Sequence, residues 1–306
     1  MNRMGAMEER VRGKLRGRAG IAALAMVAGL LALPPLAAAS DYVHAHRGGP
    51  LATVKGKQKP VLPEETLATF RKAAKAGYVV ELDVKLTADN IPVVIHDASL
   101  DRTTNCEGNV IDITFAELRR NCVVDLLGTD GNDKPMKPGD PRRRPVPKLG
   151  QVLKMAKANK ATLNLEIKNV PGDPDFEASP MPAYAQRIAT RIQRSQFPAK
   201  KLILQSFYPP NLDVFESIPY FDRSKISYLS LNATNDLILQ SAIAAEADII
   251  SPGWPIDAAY VQQAHEAGLD VVPYTLDDLE SLVEAVEMGV DAVITNDPGL
   301  ASGIAP

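Results

Sequence analysis

His46-Arg47-Gly48, Glu81-Leu82-Asp83, His96-Asp97 and Glu166-Ile167-Lys168 each close a β-like apolar run. Together they supply two histidines, three strand-borne carboxylates (Glu81, Asp83 and Glu166) besides Asp97, and two fixed cations. That inventory suits metal-assisted attack on a phosphodiester. Such chemistry needs a divalent ion to offset phosphate charge, an acid and a base for the oxygens, and cations for the remaining anionic oxygens. Glu81 and Asp83 are two apart on one strand, so their side chains share a face. Glu166, in the same register on the next barrel strand, completes an oxygen-rich site. Three carboxylates with no cysteine or histidine ligand favour Ca²⁺ or Mg²⁺ over Zn²⁺. The competing reading pairs these acids with Lys85, Arg47 or Lys168.

His46 and His96 can divide general base and general acid work near neutral pH. Asp97 either orients the His96 loop or only starts the turn. Arg47 can grip a phosphate through two parallel hydrogen bonds, and Lys168 can act as a point charge. Salt bridges from both to the carboxylates are compatible with that role. Glu64 follows Pro63 near a helix start, where it serves the helix dipole or reaches a polar substrate group. Gln205, Tyr274 and Asn296 also end strands. For each, pocket lining and structural hydrogen bonding are open alternatives. Trp254, in a Pro-Gly-Trp-Pro loop, either covers a ligand or packs. His44 lies deeper on the same strand face as His46 and reads as a core or supporting histidine. His265 falls in a helix, on the surface.

The elements that must position these residues alternate from residue 40 onward. The pattern predicts strands at 42–45, 79–86, 92–96, 162–167, 201–206, 225–231, 248–251, 270–275 and 291–295. Helices are predicted between them, the first over 64–76 with Gly77 as its stop. The strands at 79–86 and 92–96 are too close for a parallel crossover, and Ala88-Asp89-Asn90 signals a turn, so 92–96 reads as the return arm of a hairpin. Eight strands remain, which predicts a (β/α)8 TIM barrel with a small insertion, about residues 98–147, after the second strand and its hairpin. A doubly wound open sheet fits less well, because the reactive residues sit at strand C-termini spread along the chain. Residues 169–182 form a second, proline-rich loop over the same face. Arg142-Arg143-Arg144 in the insertion reads as a solvated basic loop. Pro273 is a misfit in a buried strand, apart from a bulge.

With 45% hydrophobic and 23% charged residues in 306, the chain has ordinary globular composition. Residues 1–39 read as a secretory signal peptide: a basic stretch from Arg10 to Arg18, an apolar run from Ile21 to Leu33, and Ala37-Ala38-Ala39 before Ser40. An uncleaved anchor helix is the alternative reading. Cleavage leaves residues 40–306, with 28 Lys/Arg against 35 Asp/Glu, or about −7. Such a domain has no general attraction to nucleic acid or anionic membranes. The expectation is a secreted, periplasmic protein with no stable membrane anchor. Cys106 and Cys122 either pair in that oxidising compartment or remain two buried thiols.

Several of these segments resemble one family. His46-Arg47-Gly48, Pro63-Glu64-Glu65-Thr66, Glu81 to Val84, Leu86 to Asp89, Val93 to Asp97 and Asp101-Arg102-Thr103-Thr104 resemble the N-terminal signature of the glycerophosphodiester phosphodiesterases. Leu165 to Lys168, Gln205-Ser206-Phe207 and the stretch from Gly289 to Pro298 resemble the remainder. The resemblance implies a TIM barrel holding one divalent cation, Ca²⁺ or Mg²⁺, at Glu81, Asp83 and Glu166. It implies His46 and His96 as the catalytic pair, with Arg47 and Lys168 on the phosphate. Substrates would be small phosphodiesters such as glycerophosphocholine and glycerophosphoethanolamine. Products would be sn-glycerol 3-phosphate and an alcohol, through a cyclic phosphate. Two departures stand out: the usual Pro-Glu-Asn-Thr reads Pro-Glu-Glu-Thr at 63–66, and the common Trp-Thr-Val-Asn reads Tyr-Thr-Leu-Asp at 274–277. Both are expected to bear on the head group and not on catalysis. Rival functions are a phospholipase D-like enzyme on lysophospholipid or sphingolipid, and a non-catalytic barrel that captures phosphate ligands. The pair of histidines argues against the second.

Overall fold

The computed structural model describes residues 41–129, 134–231 and 237–306. The expected signal peptide and its cleavage site lie outside the described residues. Strands appear at β1 (Val43–Ala45), β2 (Leu51–Val54), β3 (Lys57–Pro60), β4 (Val79–Leu86), β5 (Pro92–Val94) and β6 (Leu163–Ile167). They continue with β7 (Leu202–Ser206), β8 (Lys225–Ser230), β9 (Ile249–Pro252), β10 (Asp270–Val271) and β11 (Val293–Thr295). Eight of them form one parallel sheet in the order β10-β9-β8-β7-β6-β4-β1-β11, with β5 returning antiparallel on β4. The two ends of that order meet through backbone hydrogen bonds. Asp291 N–H donates to the Val271 carbonyl (3.0 Å) and Ile294 N–H to the Pro273 carbonyl (2.9 Å). This is the (β/α)8 TIM barrel that the alternating pattern predicts. The hairpin β2–β3, which follows the His-Arg-Gly turn, is an addition that the pattern did not reveal.

Pro273 now has a physical account. Val272 and Tyr274 donate to β9, through Ile250 and Pro252. The carbonyls of Val271 and Pro273 face β11, where residues 291 and 294 donate to them. Two residues on one strand oppose three on the other, so the missing proline N–H falls at a bulge in the closing seam.

Strand alternation sorts the side chains. Val80, Leu82, Val84 and Leu86 face the outer helices and join the main apolar core. Val79, Ile203, Ile249, Val272, Ala292 and Ile294 form a separate apolar layer inside the barrel. Glu81 and Asp83 point inward with them, and β6 lies in register, Glu81 opposite Asn164 and Asp83 opposite Glu166. The first outer helix runs over Leu67–Ala76, capped by the Thr66 hydroxyl and stopped at Gly77. It starts three residues later than expected, because Glu64 and Glu65 turn into the barrel mouth. Among the described residues no helix is long and apolar enough to cross a membrane.

The insertion is better built than its loop-rich sequence suggests. Ile95, Leu100, Val110, Leu118, Val124 and Val146 form a small core of their own with Cys122. A short helix, Phe115–Asn121, starts in a capping box between Thr114 and Glu117. Cys106 and Cys122 are bonded as a disulfide. Arg142 pairs with Asp140 and Arg143 with Asp125, which keeps the basic triplet on its own loop.

The loop over 169–182 is held by Lys85, which is fully buried. Its Nζ contacts Asp173 Oδ2 (2.7 Å) and Asp175 Oδ1 (3.3 Å) and donates to the Lys168 carbonyl (3.0 Å). Lys85 is therefore no partner of Glu81 or Asp83.

Two stability outcomes are expected. Lys85→Met strands the buried Asp175 carboxylate and should lower unfolding free energy by about 3–5 kcal/mol, read from a denaturant midpoint. Cys122→Ser should lower it by roughly 3 kcal/mol on the chain-entropy account of a loop that short. A variant as stable as the parent would rule out either staple.

Candidate functional site

The four sequence islands meet at the C-terminal mouth of the barrel. β1 ends at Ala45, and the chain then makes a tight turn through His46, Arg47 and Gly48. Gly48 has φ +88°, and a Cβ there would come within 2.7 Å of Thr69 and 2.9 Å of Phe70. Only glycine allows the turn to press against the first helix. The turn aims the Arg47 N–H at Glu81 Oε2 (2.7 Å). From below, the Gln205 amide donates to the other oxygen, Glu81 Oε1 (3.0 Å). Asn164 in turn donates to Gln205 Oε1 (2.9 Å) and lies against His44 Nδ1 (3.2 Å). Gln205 is buried, and its amide makes a structural hydrogen bond that orients Glu81. His44 is the foot of that line.

Carboxylates crowd the space above. Ligand-capable oxygens of Glu65, Glu81 and Asp83 lie within 4.8 Å of one another, all buried. Glu166, expected to complete that set, stands beside it with Oε1 3.0 Å from Lys168 Nζ. Lys168 Nζ is also 3.7 Å from Asp83 Oδ1, and Arg47 Nε is 3.8 Å from Asp83 Oδ2. Neither Asp83 oxygen has a hydrogen-bond donor, nor has Glu65 Oε2. Burial, and then the neighbouring carboxylates, push Glu65 and Glu81 well above the ordinary carboxylate range. Burial pushes Glu166 up to about 7, against the pull of Lys168. Asp83 goes the other way: burial is outweighed by Lys168, the histidines and Arg47. An all-oxygen donor set with orphaned buried oxygens fits a hard divalent cation. The sequence departure at Glu65 thus lies within this cluster.

The two histidines are backed differently. His46 Nδ1 is 2.9 Å from Asn296 Oδ1, and an amide oxygen only accepts, so Nδ1 carries the proton and Nε2 keeps its lone pair. Asn296 is itself fixed, because its Nδ2 and its backbone N–H both donate to Asp277, each at 2.7 Å. Asp277 is the other sequence departure, and it too serves a catalytic candidate. His96 Nδ1 instead meets a carboxylate, Asp97 Oδ1, at 2.6 Å. Arg102 from the insertion grips Asp97 through Nε (2.6 Å) and Nη2 (2.9 Å). It also binds Glu64 Oε1 at 2.7 Å, and Arg47 shares that oxygen at 3.1 Å. Glu64 is therefore a buried tie between two arginines. Arg102 and Asp277 were missed as site residues; both lie in stretches that the resemblance had already marked. Tyr274 donates its hydroxyl to the Ser230 carbonyl (2.9 Å) and sets its ring edge-on to Phe207, 6.0 Å away. Trp254 packs on the core. His265 bonds Asp291 on the surface, as expected of it.

The chain is similar to known proteins in sequence and fold. Residues 46–300 match the glycerophosphoryl diester phosphodiesterase family. The chain belongs to that family. A glycerophosphodiester phosphodiesterase of Caldanaerobacter subterraneus subsp. tengcongensis is 29% identical over 248 residues, 80% of this chain and 92% of the relative. A crystal structure described as a glycerophosphoryl diester phosphodiesterase of Silicibacter pomeroyi superposes with TM-score 0.67 at 25% identity, covering 85% and 91% of the two chains. An Oleispira antarctica phosphodiesterase, solved with its product sn-glycerol-3-phosphate, has TM-score 0.67 at 22% identity over 85% and 95%. The chain is thus a phosphoric diester hydrolase of the glycerophosphodiester class.

Two outcomes test the histidine geometry. Asn296→Ala frees the His46 tautomer and should lower kcat by about tenfold to a hundredfold with little change in KM, within the range of acid–base contributions. Burial, and then Arg47, hold His46 well below its ordinary 6.5. A cation among the carboxylates acts in the same direction. His46 is therefore neutral at pH 7, and protonation removes its lone pair only as the pH falls through that lowered value. With saturating cation, which keeps Glu166 ionised, the acid limb of kcat/KM should lie below pH 6.5; a limb above it under that condition would contradict this environment.

Proposed function

We propose that this phosphodiesterase hydrolyses glycerophosphodiesters such as glycerophosphocholine and glycerophosphoethanolamine to sn-glycerol 3-phosphate and an alcohol, using one divalent cation. The observation that carries this reading is a buried carboxylate cage flanked by two histidines with unlike supports. Glu81, Asp83 and Glu166 would hold the cation, which supplies charge neutralisation at the phosphate when bound. Arg47 and Lys168 reach the same place and bind the anionic phosphate oxygens. Tyr274 and Phe207 wall the approach.

His46, neutral and with Nε2 as acceptor, takes the proton of the attacking hydroxyl, that of the neighbouring glycerol carbon. His96, which burial holds below its ordinary 6.5 against the opposing pull of Asp83 and Asp97, is the group placed to give a proton to the departing alcohol oxygen. The cyclic phosphate so formed is opened by water with the two roles reversed. Asn296 and Asp277 hold the first ring in its tautomer, and Arg102 holds Asp97 behind the second. The disulfide supports work in an oxidising compartment after export, with residues 1–39 removed.

Residues 40–306 should release glycerol 3-phosphate from glycerophosphocholine, stop with chelator, and resume with Ca²⁺ or Mg²⁺. His46→Ala and His96→Ala should each lose at least a hundredfold in kcat. A glycerophosphodiester with a nitrophenol leaving group needs no acid, so it should restore His96→Ala and leave His46→Ala inactive. Restoration of the opposite variant would reverse the assignment, and turnover indifferent to chelator would remove the cation.

A further inference from the structure

We infer that Glu65 is a fourth carboxylate ligand of the cation and that it biases the site toward Ca²⁺ over Mg²⁺. This rests on the cation site proposed above. Family members usually carry an amide here, so nothing in the shared pattern assigns a carboxylate this task.

Glu65 is only 2% exposed. Its backbone sits at φ +56°, a left-handed conformation that asparagine tolerates far better than glutamate. A glutamate there carries local strain that an asparagine would relieve. Oε1 accepts from the Asp83 N–H (3.3 Å), which fixes the side chain over β4. Oε2 is buried and has no donor. The same atom group lies at ligand spacing from Glu81 and Asp83. An uncompensated carboxylate oxygen in that position, beside two other acids, is expensive unless a cation meets it. The nearby cations do not: Arg47 is engaged with Glu64 and Asp83, and Lys168 with Glu166 and Asp83.

The choice of ion follows from coordination. Mg²⁺ binds through one or two carboxylates and retains several waters in a strict octahedron, whereas Ca²⁺ accepts six to eight oxygens in flexible geometry. A cage of Glu65, Glu81, Asp83 and Glu166 offers more anionic oxygen than Mg²⁺ uses. It suits the larger ion.

The experiment is calorimetric titration of Ca²⁺ and of Mg²⁺ into the metal-free protein, for wild type, Glu65→Asn and Glu65→Gln. Wild type should bind Ca²⁺ at least tenfold more tightly than Mg²⁺. Both variants should lose about tenfold in Ca²⁺ affinity and much less for Mg²⁺. Eu³⁺ luminescence lifetimes in H₂O and D₂O should show about one more bound water in each variant. In chelator, Glu65→Asn should melt at or above wild type, because strain and carboxylate repulsion are relieved. A merely structural Glu65 would make that variant melt lower. Unchanged Ca²⁺ affinity and water count in both variants would overturn this inference and leave the cation site standing. A wild type that binds neither ion would overturn both.

Discussion

Buried carboxylates repel one another, and this barrel mouth brings Glu65, Glu81, Asp83 and Glu166 together with Glu64 and Asp97 close by. Most of the surrounding structure can be read as compensation for that repulsion. Arg47, Lys168 and Arg102 are each shared between two acids. The backbone N–H of Arg47 and the amide of Gln205 are spent on Glu81 alone. Even so, both oxygens of Asp83 remain without a donor. Three cations against six acids leave an excess of negative charge, which the proposed divalent cation would offset. Preorganisation of this kind is what electrostatic catalysis requires, since the dipoles need not rearrange when charge develops on phosphate.

The support reaches outward from there. Arg102 belongs to the insertion, so the small core of Leu100, Val110 and Leu118 and the Cys106–Cys122 bond determine where Asp97 and His96 stand. Lys85 likewise fixes the loop over 169–182 directly after Lys168. Neither accessory region is an independent lobe. Each ends in a charged contact with a residue one or two positions from the site.

Sequence periodicity showed the barrel well, because inward and outward positions alternate cleanly on β4 and β6, and because the reactive types stand at strand ends. It misjudged where long-range partners decide the outcome. Glu64 precedes a helix by spacing, yet two arginines from positions 47 and 102 claim it. Gln205 ends a strand like a pocket residue, yet Glu81 and Asn164 absorb its amide. Glu65 and Asp277 read as departures bearing on the head group, because a motif shows which residue is replaced and not what the new side chain touches. Local pattern also hid the shortening of β10, since the bulge at Pro273 becomes visible only once β11 lies beside it.

That seam has a consequence of its own. His46 leaves β1, and the Asn296 that sets its tautomer leaves β11, the neighbour of β1 in the closed barrel and nearly the last element of the chain. Asp277, which holds Asn296, comes from the turn just before. A chain that has folded much of its sheet still leaves the His46 tautomer undefined until β11 has docked and brought Asn296 to it. Hydrolytic competence therefore waits on the docking of β11, and loss of that strand would silence the enzyme from a point 250 residues along the chain from His46.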